Sequence, residues 1–223
     1  MDVALNGHEA RVLGVLIEKA FTTPEQYPLS LNAATNGCNQ KSNRDPVTDF
    51  SEAEVTIALT GLKYKHLVGA TTPAGSRVEK YRHNAQEHLQ LDDQALAVLA
   101  ELLLRGPQAK GELRQRASRM RAVASLDELQ QVLGRLSERG FLRNLAPAPG
   151  SRAERYGQML SEGPTEGAVD GTPATAAPAT AAPASSTGAP GDLGGRVAAL
   201  EAEVNKLRAQ LQRLAEQLGE PLE

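Results

Sequence analysis

Ser51-Glu52-Ala53-Glu54-Val55-Thr56-Ile57-Ala58-Leu59-Thr60-Gly61-Leu62 begins a stretch that the chain writes again about 74 residues later. Ser51, Glu54, Val55, Leu59, Leu62, Leu67 and Val68 recur as Ser125, Glu128, Leu129, Leu133, Leu136, Phe141 and Leu142. One residue later in register, Gly75, Ser76, Arg77, Glu79, Lys80 and Tyr81 recur as Gly150, Ser151, Arg152, Glu154, Arg155 and Tyr156. A repeat of fixed period defines the structural unit before any local assignment is made.

Working outward from that stretch, each copy reads as helix, short helix, long helix and a two-stranded hairpin. In the first copy Asn6 caps a helix, with Glu9 placed to answer it as in a capping box. Leu13, Leu16, Ile17 and Ala20 then share one face at helical spacing, and Thr22-Thr23-Pro24 ends it. Ser30 caps a short helix over 31–36, which Gly37 is expected to stop. Residues 38–50 are polar, Asn-rich and broken by Pro46, hence loop. Ser51 and Glu54 form a second capping box ahead of a helix with Val55, Leu59 and Leu62 buried. Strands are expected over 67–72 and 77–83. In the second copy Asp92 or Asp93 caps a helix bearing Leu96, Leu99 and Leu103, and Gly106-Pro107 stops it. Residues 110–116 form the short helix. Ser125 and Glu128 open the third, with Leu129, Leu133 and Leu136 buried, and strands follow over 141–145 and 152–156. This order is that of a winged helix. The expected fold is mainly α with small β-wings: one winged-helix domain over 1–90 and a second over 91–160.

Residues 161–192 are dominated by Pro, Ala, Thr, Gly and Ser. Such a composition cannot bury enough apolar surface to offset its ordering entropy, so a disordered linker is expected. Beyond it, Leu193, Val197, Leu200, Val204, Leu207, Leu211, Leu214 and Leu218 alternate in steps of four and three. Leu at 193, 200, 207 and 214 occupies d positions, and two of the four a positions are valine, which favours a parallel dimer. Arg196 would face a partner's Glu201, and Glu203 a partner's Arg208. The expectation is a coiled-coil helix over 193–219 and a homodimer. Docking of the helix on the tandem domains, or pairing with another protein, are the alternatives.

The single cysteine, Cys38, cannot form an internal disulfide, which fits a reducing compartment. No apolar run reaches the roughly 18 to 20 residues that span a bilayer. The first residues lack the basic and apolar regions of a signal peptide. A cytoplasmic protein without a membrane partner is expected. The net charge of −3 hides a gradient. Residues 1–90 hold 9 basic and 10 acidic side chains, residues 91–160 hold 11 and 8, and residues 161–223 hold 4 and 9. Only the second repeat leans towards a polyanion, and modestly for a nucleic-acid binder.

No catalytic constellation stands out. Cys38 has no histidine near it in sequence, and a buried structural thiol is its plain reading. His8, His66, His83 and His88 show no ligand spacing, so no metal is expected. Gly75-Ser76 and Gly150-Ser151 precede strands, whereas an anion-binding loop needs a helix N-terminus. No cofactor motif occurs.

Two polar clusters remain. Residues 39–46 carry Lys41, Asn43 and Arg44, whose amide and guanidinium groups suit base edges or phosphates. The same residue types also satisfy the backbone of a convoluted loop. The second cluster holds Lys110, Arg114, Arg116, Arg119 and Arg121 against Glu112 alone. It reads either as a phosphate-contacting surface or as a solvated face. Wing residues Arg77, Lys80, Arg152 and Arg155 complete the candidate nucleic-acid set. Against it, the N-terminal residues of a helix-turn-helix reading helix face the bases. Here those positions hold Glu52, Glu54, Asp127 and Glu128.

Over about residues 5–160 the chain resembles the YceH-like family of bacterial proteins. The resemblance rests on 5–6 and 9–13, Glu18-Lys19, 23–30, Asn39-Gln40-Lys41-Ser42-Asn43-Arg44-Asp45-Pro46-Val47 and Gly111-Glu112-Leu113-Arg114. It implies a tandem winged-helix fold and no particular activity. The functional expectation is a non-enzymatic protein that binds double-stranded DNA in transcriptional control. The rival is a scaffold whose paired winged helices bind an unidentified protein partner. Fold alone does not decide between them.

Overall fold

The computed structural model describes residues 4–72, 75, 78–147, 150 and 153–161. The expected linker beyond Ser161, the seam of 193–219, and the wing residues Arg77 and Arg152 lie outside the described residues. Among these there are seven α-helices and two three-stranded antiparallel sheets.

The first helix, α1 (Gly7–Thr22), starts where the sequence places its cap. Asn6 Oδ1 accepts the Glu9 N–H at 2.9 Å, and Glu9 Oε2 accepts the Asn6 N–H at 2.9 Å. Yet α1 is not the one-sided helix its pattern suggests, because every residue from Glu9 to Glu18 is buried. Strand β1 (Leu29–Ser30) then leads into α2 (Leu31–Cys38), where Ser30 Oγ accepts the Ala33 N–H at 3.2 Å. Gly37 does not stop α2 as expected. A Cβ there would stand 2.6 Å from Val15 Cγ1, so the glycine lets α2 lie close on α1. Asn39 pins the following loop, donating to Phe50 O at 2.8 Å and accepting the Phe50 N–H at 2.7 Å.

Helix α3 (Glu52–Tyr64) opens on the expected Ser51–Glu54 box and buries Val55, Ala58, Leu59 and Leu62. The hairpin of β2 (Val68–Thr71) and β3 (Lys80–His83) follows, in the sheet order β1-β3-β2. The short α4 (Ala85–Leu89) leads to the second copy. There α5 (Asp93–Arg105) is capped by Asp92, whose Oδ1 accepts the Ala95 N–H at 2.8 Å. Then come β4 (Gln108–Ala109), α6 (Lys110–Ala117), α7 (Leu126–Glu138), β5 (Leu142–Leu145) and β6 (Arg155–Gln158), in the order β4-β6-β5. Both copies thus add a two-residue edge strand to the hairpin, a segment too short to show alternation in sequence. The last strand also begins three residues later than expected. Ser125 caps α7, but Glu128 does not close a box on it. Its carboxylate accepts from Ala124 N–H at 2.5 Å and from Gln94 Nε2 at 2.8 Å instead.

One apolar core runs through both copies. α1 packs on α5, whose residues from Ala95 to Leu104 are all buried, and Leu13, Leu16 and Ile17 join Leu96, Leu99 and Leu102. The Leu5 N–H donates to Leu160 O at 2.6 Å, bringing the two ends of the described region together. Among the described residues no helix is long and apolar enough to cross a membrane.

Candidate functional site

The first polar cluster is turned inwards at its centre. Arg44 Nη2 meets Glu18 Oε2 at 2.6 Å, and its Nε donates to Gly37 O at 2.9 Å. Its other nitrogen bonds go to Asn43 O at 2.7 Å and Gln40 Oε1 at 3.0 Å. With its side chain 0% exposed, Arg44 has no free edge for a base or phosphate, which corrects its assignment as a contact residue. Asn43 sits at φ 60° and its Oδ1 accepts from Arg105. Arg11 holds the same loop from α1 by donating to Cys38 O at 3.3 Å and Pro46 O at 2.6 Å. Burial, with Arg44 nearby, lowers the Arg11 pKa. Of the three loop residues singled out in sequence, only Lys41 is exposed.

The second cluster does not form one surface. Arg119 turns to Glu101 at 3.4 Å and Glu18 at 3.9 Å. Arg116 donates to Gln108 Oε1 at 2.7 Å and pairs with Glu112 at 3.6 Å. Arg114 donates to the carbonyls of Val123 and Ala124 at 3.3 and 3.4 Å. Arg121 pairs with Asp93 at 3.4 Å, and Lys110 is half-buried. At the centre of this network Glu101 has a side chain 0% exposed, 3.2 Å from Arg105 Nε. Those two atoms are close without hydrogen-bond alignment. Burial pushes the Glu101 carboxyl above its ordinary value, against the pull of Arg105, Arg119 and Arg116. Glu18, Arg44, Glu101 and Arg105, linked by the partly exposed Arg119, therefore form one charge network joining the two copies.

On the hairpins, Lys80 and Arg155 are half-buried, and Arg155 Nε donates to Ala146 O at 3.4 Å. Arg82 and Arg143, which the sequence reading passed over, are exposed on β3 and β5. Their signal was present as cations alternating with buried strand positions.

The outward face of α3 is the other feature the sequence reading missed. Ile57 is 71% exposed and Tyr64 82% exposed, on a face shared with Ala53, Thr56 and Thr60. Ile57 falls off the Val55–Leu59–Leu62 stripe, and that offset was the available signal. Glu52 Oε1 accepts from Asn32 Nδ2 at 3.3 Å. Hydrogen bonds from the Ser51 backbone and hydroxyl hold Glu54 below its ordinary pKa. The matching face of α7 carries Asp127, Gln130, Gln131, Arg135 and Glu138 and is polar. The repeat is therefore kept in the core and abandoned on this surface. Beside α2, Lys19, Gln26, Asn32, Asn36 and Gln40 border an open groove of about 280 Å³. Cys38 is buried, and that burial raises its thiol to about 12. Among the described residues no group of three His, Cys, Asp or Glu is placed to hold a metal.

Residues 5–160 match a family model described as a protein of unknown function, DUF480. A UPF0502 protein of Geotalea daltonii is 52% identical over 179 residues, which cover 79% of this chain and 82% of that one. A UPF0502 protein of Shewanella halifaxensis is 44% identical over 220 residues, 96% of each chain. One from Geobacter sulfurreducens is 49% identical over 174 residues, 77% of this chain and 79% of its own.

Proposed function

We propose, from the premise that the chain belongs to the DUF480 family, that it is a non-enzymatic protein-interaction module. In this reading two tandem winged-helix units bind a protein through the outward face of α3. The recurring order of three helices and a hairpin, with matching sheet orders, supports the winged-helix assignment. The observation that carries the function is the character of α3. It presents Ile57 and Tyr64 to solvent, has acidic residues in its first turn, and carries its one cation, Lys63, in the last. A helix that reads DNA places its N-terminal residues at the bases, where Glu52 and Glu54 would meet phosphate repulsion. Arg44 is buried in its pair with Glu18, and the partly exposed Arg116, Arg119 and Arg121 each sit beside a carboxylate, which weakens the cationic surface that the sequence suggested.

Duplex DNA binding is the second reading. It is favoured by Lys41, Arg82 and Arg143, which are exposed and form no ion pair among the described residues. Self-pairing through the heptads of 193–219 would present these groups twice. The deciding measurement is fluorescence anisotropy of the intact protein on random and genomically selected duplexes across a salt series. It runs beside partner capture by the wild type and an Ile57→Glu/Tyr64→Glu variant. The interaction reading expects no duplex binding at low salt and loss of the partner in the double variant. Tight binding whose salt slope flattens by about 0.9 for each of Lys41, Arg82 and Arg143 replaced would overturn it in favour of DNA. The seam is tested separately, since Leu207→Pro should turn a sedimenting dimer into a monomer.

A further inference from the structure

The geometry of α3 points to a specific occupant for its outward face: we infer that α3 pairs antiparallel with α3 of a second copy of this chain. The inference rests on the reading of that face as a protein interface. The helix has 13 residues, about 20 Å of length at 1.5 Å per residue. Its exposed stripe is uncharged along Ala53, Ile57, Thr60 and Tyr64. Charges lie only on its flanks, and their order is polar: Glu52 and Glu54 at the start, Lys63 and Lys65 at the end. Residues eleven apart on a helix fall about 20° apart in angle. Glu52 therefore lies on the same flank as Lys63, and Glu54 on the same flank as Lys65.

A two-fold axis crossing the stripe between Ile57 and Thr60 reverses one helix against the other while keeping each flank on its own side. Ile57 then meets the second copy's Thr60, and Ala53 meets its Tyr64. Glu52 comes beside Lys63 on one flank in both directions, while Lys65 on the other flank stays with the buried Glu9 at 2.5 Å. A parallel pairing would set acid against acid and base against base. The face is thus self-complementary in the antiparallel sense alone, as an isologous interface requires. The two helix dipoles also oppose. Lys63 is free to exchange, because its present pairing with Glu79 is 3.6 Å long and exposed. The polar face of α7 offers no apolar stripe, which limits the contact to one helix per copy. One helix face is well below the roughly 800 Å² per partner of a stable standard interface, so the pairing is weak unless the copies are also tethered.

Disulfide trapping in the full chain tests this. Thr60→Cys places a thiol beside the two-fold axis, Gln131→Cys places one on the outward face of α7 as control, and native Cys38 is buried. Under mild oxidation the purified Thr60→Cys protein is expected to form a linked dimer about tenfold faster than the control. Adding Tyr64→Glu should bring it back to the control rate, with circular dichroism unchanged because both sites are exposed. Cross-linking of Thr60→Cys at the control rate overturns the self-pairing. In that event the same variant oxidised in a cell extract separates the two levels of the argument. An adduct with a different protein leaves α3 as a protein-binding face, whereas no adduct removes that reading as well.

Discussion

Arg44 carries a charge that the sequence offers to a ligand and the fold gives to Glu18. Its guanidinium is held by a carboxylate, a side-chain amide and two backbone carbonyls, which take four of its five N–H donors. Removing one member of such a pair strands the other in the interior, at about 3–5 kcal/mol. Arg44→Met is therefore expected to lower unfolding free energy in urea by about 3 kcal/mol, and adding Glu18→Leu should restore part of the loss. Glu101 obeys a different rule. Its folded pKa lies above the ordinary 4.5 chiefly through burial, so between the two values the folded state binds the extra proton. The stability it contributes is present below pH 4.5 and is lost as pH rises through the raised value. Glu101→Gln, neutral throughout, should remove this loss, so its urea midpoint should fall less than the wild type's as pH rises from about 4.5 to 7.

At the scale of the element, glycines separate helices that touch from helices that face water. Within α7, nothing lies within 4 Å of where a Gly134 Cβ would stand. Gly134→Ala should accordingly raise stability by about 1 kcal/mol, the ordinary gain of alanine over glycine in a helix. Gly37 has the same helical setting but a Val15 methyl 2.6 Å from the added carbon. There the gain is outweighed by overpacking, and Gly37→Ala should cost about 1–3 kcal/mol. Paired thermal melts of the two variants check the sign, and a stabilised Gly37→Ala would disprove the close packing of α2 on α1. Gly61 in α3 resembles Gly37, because its added carbon would run into the Glu9 carboxylate held by Asn6 and Lys65.

For the described region as a whole, the joint between copies is the α1–α5 contact. Both helices are buried on nearly every side, so neither copy can shed the other without exposing apolar surface. Leu99 is fully buried at that joint. Leu99→Ala should cost about 2–5 kcal/mol and lower the protection of α3 and α7 amides in hydrogen exchange by the same factor. If α7 amides lost protection while those of α3 kept theirs, the copies would be unfolding separately.

With the Ser125–Glu128 box and the Gly37 stop as the exceptions, what the sequence alone determined was most of what depends on neighbours three or four residues apart. The Asn6–Glu9 and Ser51–Glu54 caps, the Thr22 and Gly106 helix ends, and the buried Leu59–Leu62 and Leu133–Leu136 pairs are of this kind. Their geometry is set inside one turn of backbone, so no distant partner is needed to form them. Tertiary structure alone decided where the charges went. Glu18 meets Arg44 across 26 residues and Arg119 across 101, and no local pattern encodes a pairing at such separations. Desolvation makes the pairing obligatory once the helices close, because a buried ion without a partner costs several kcal/mol. The same closure buried α1 all round and left the outward face of α3 uncovered.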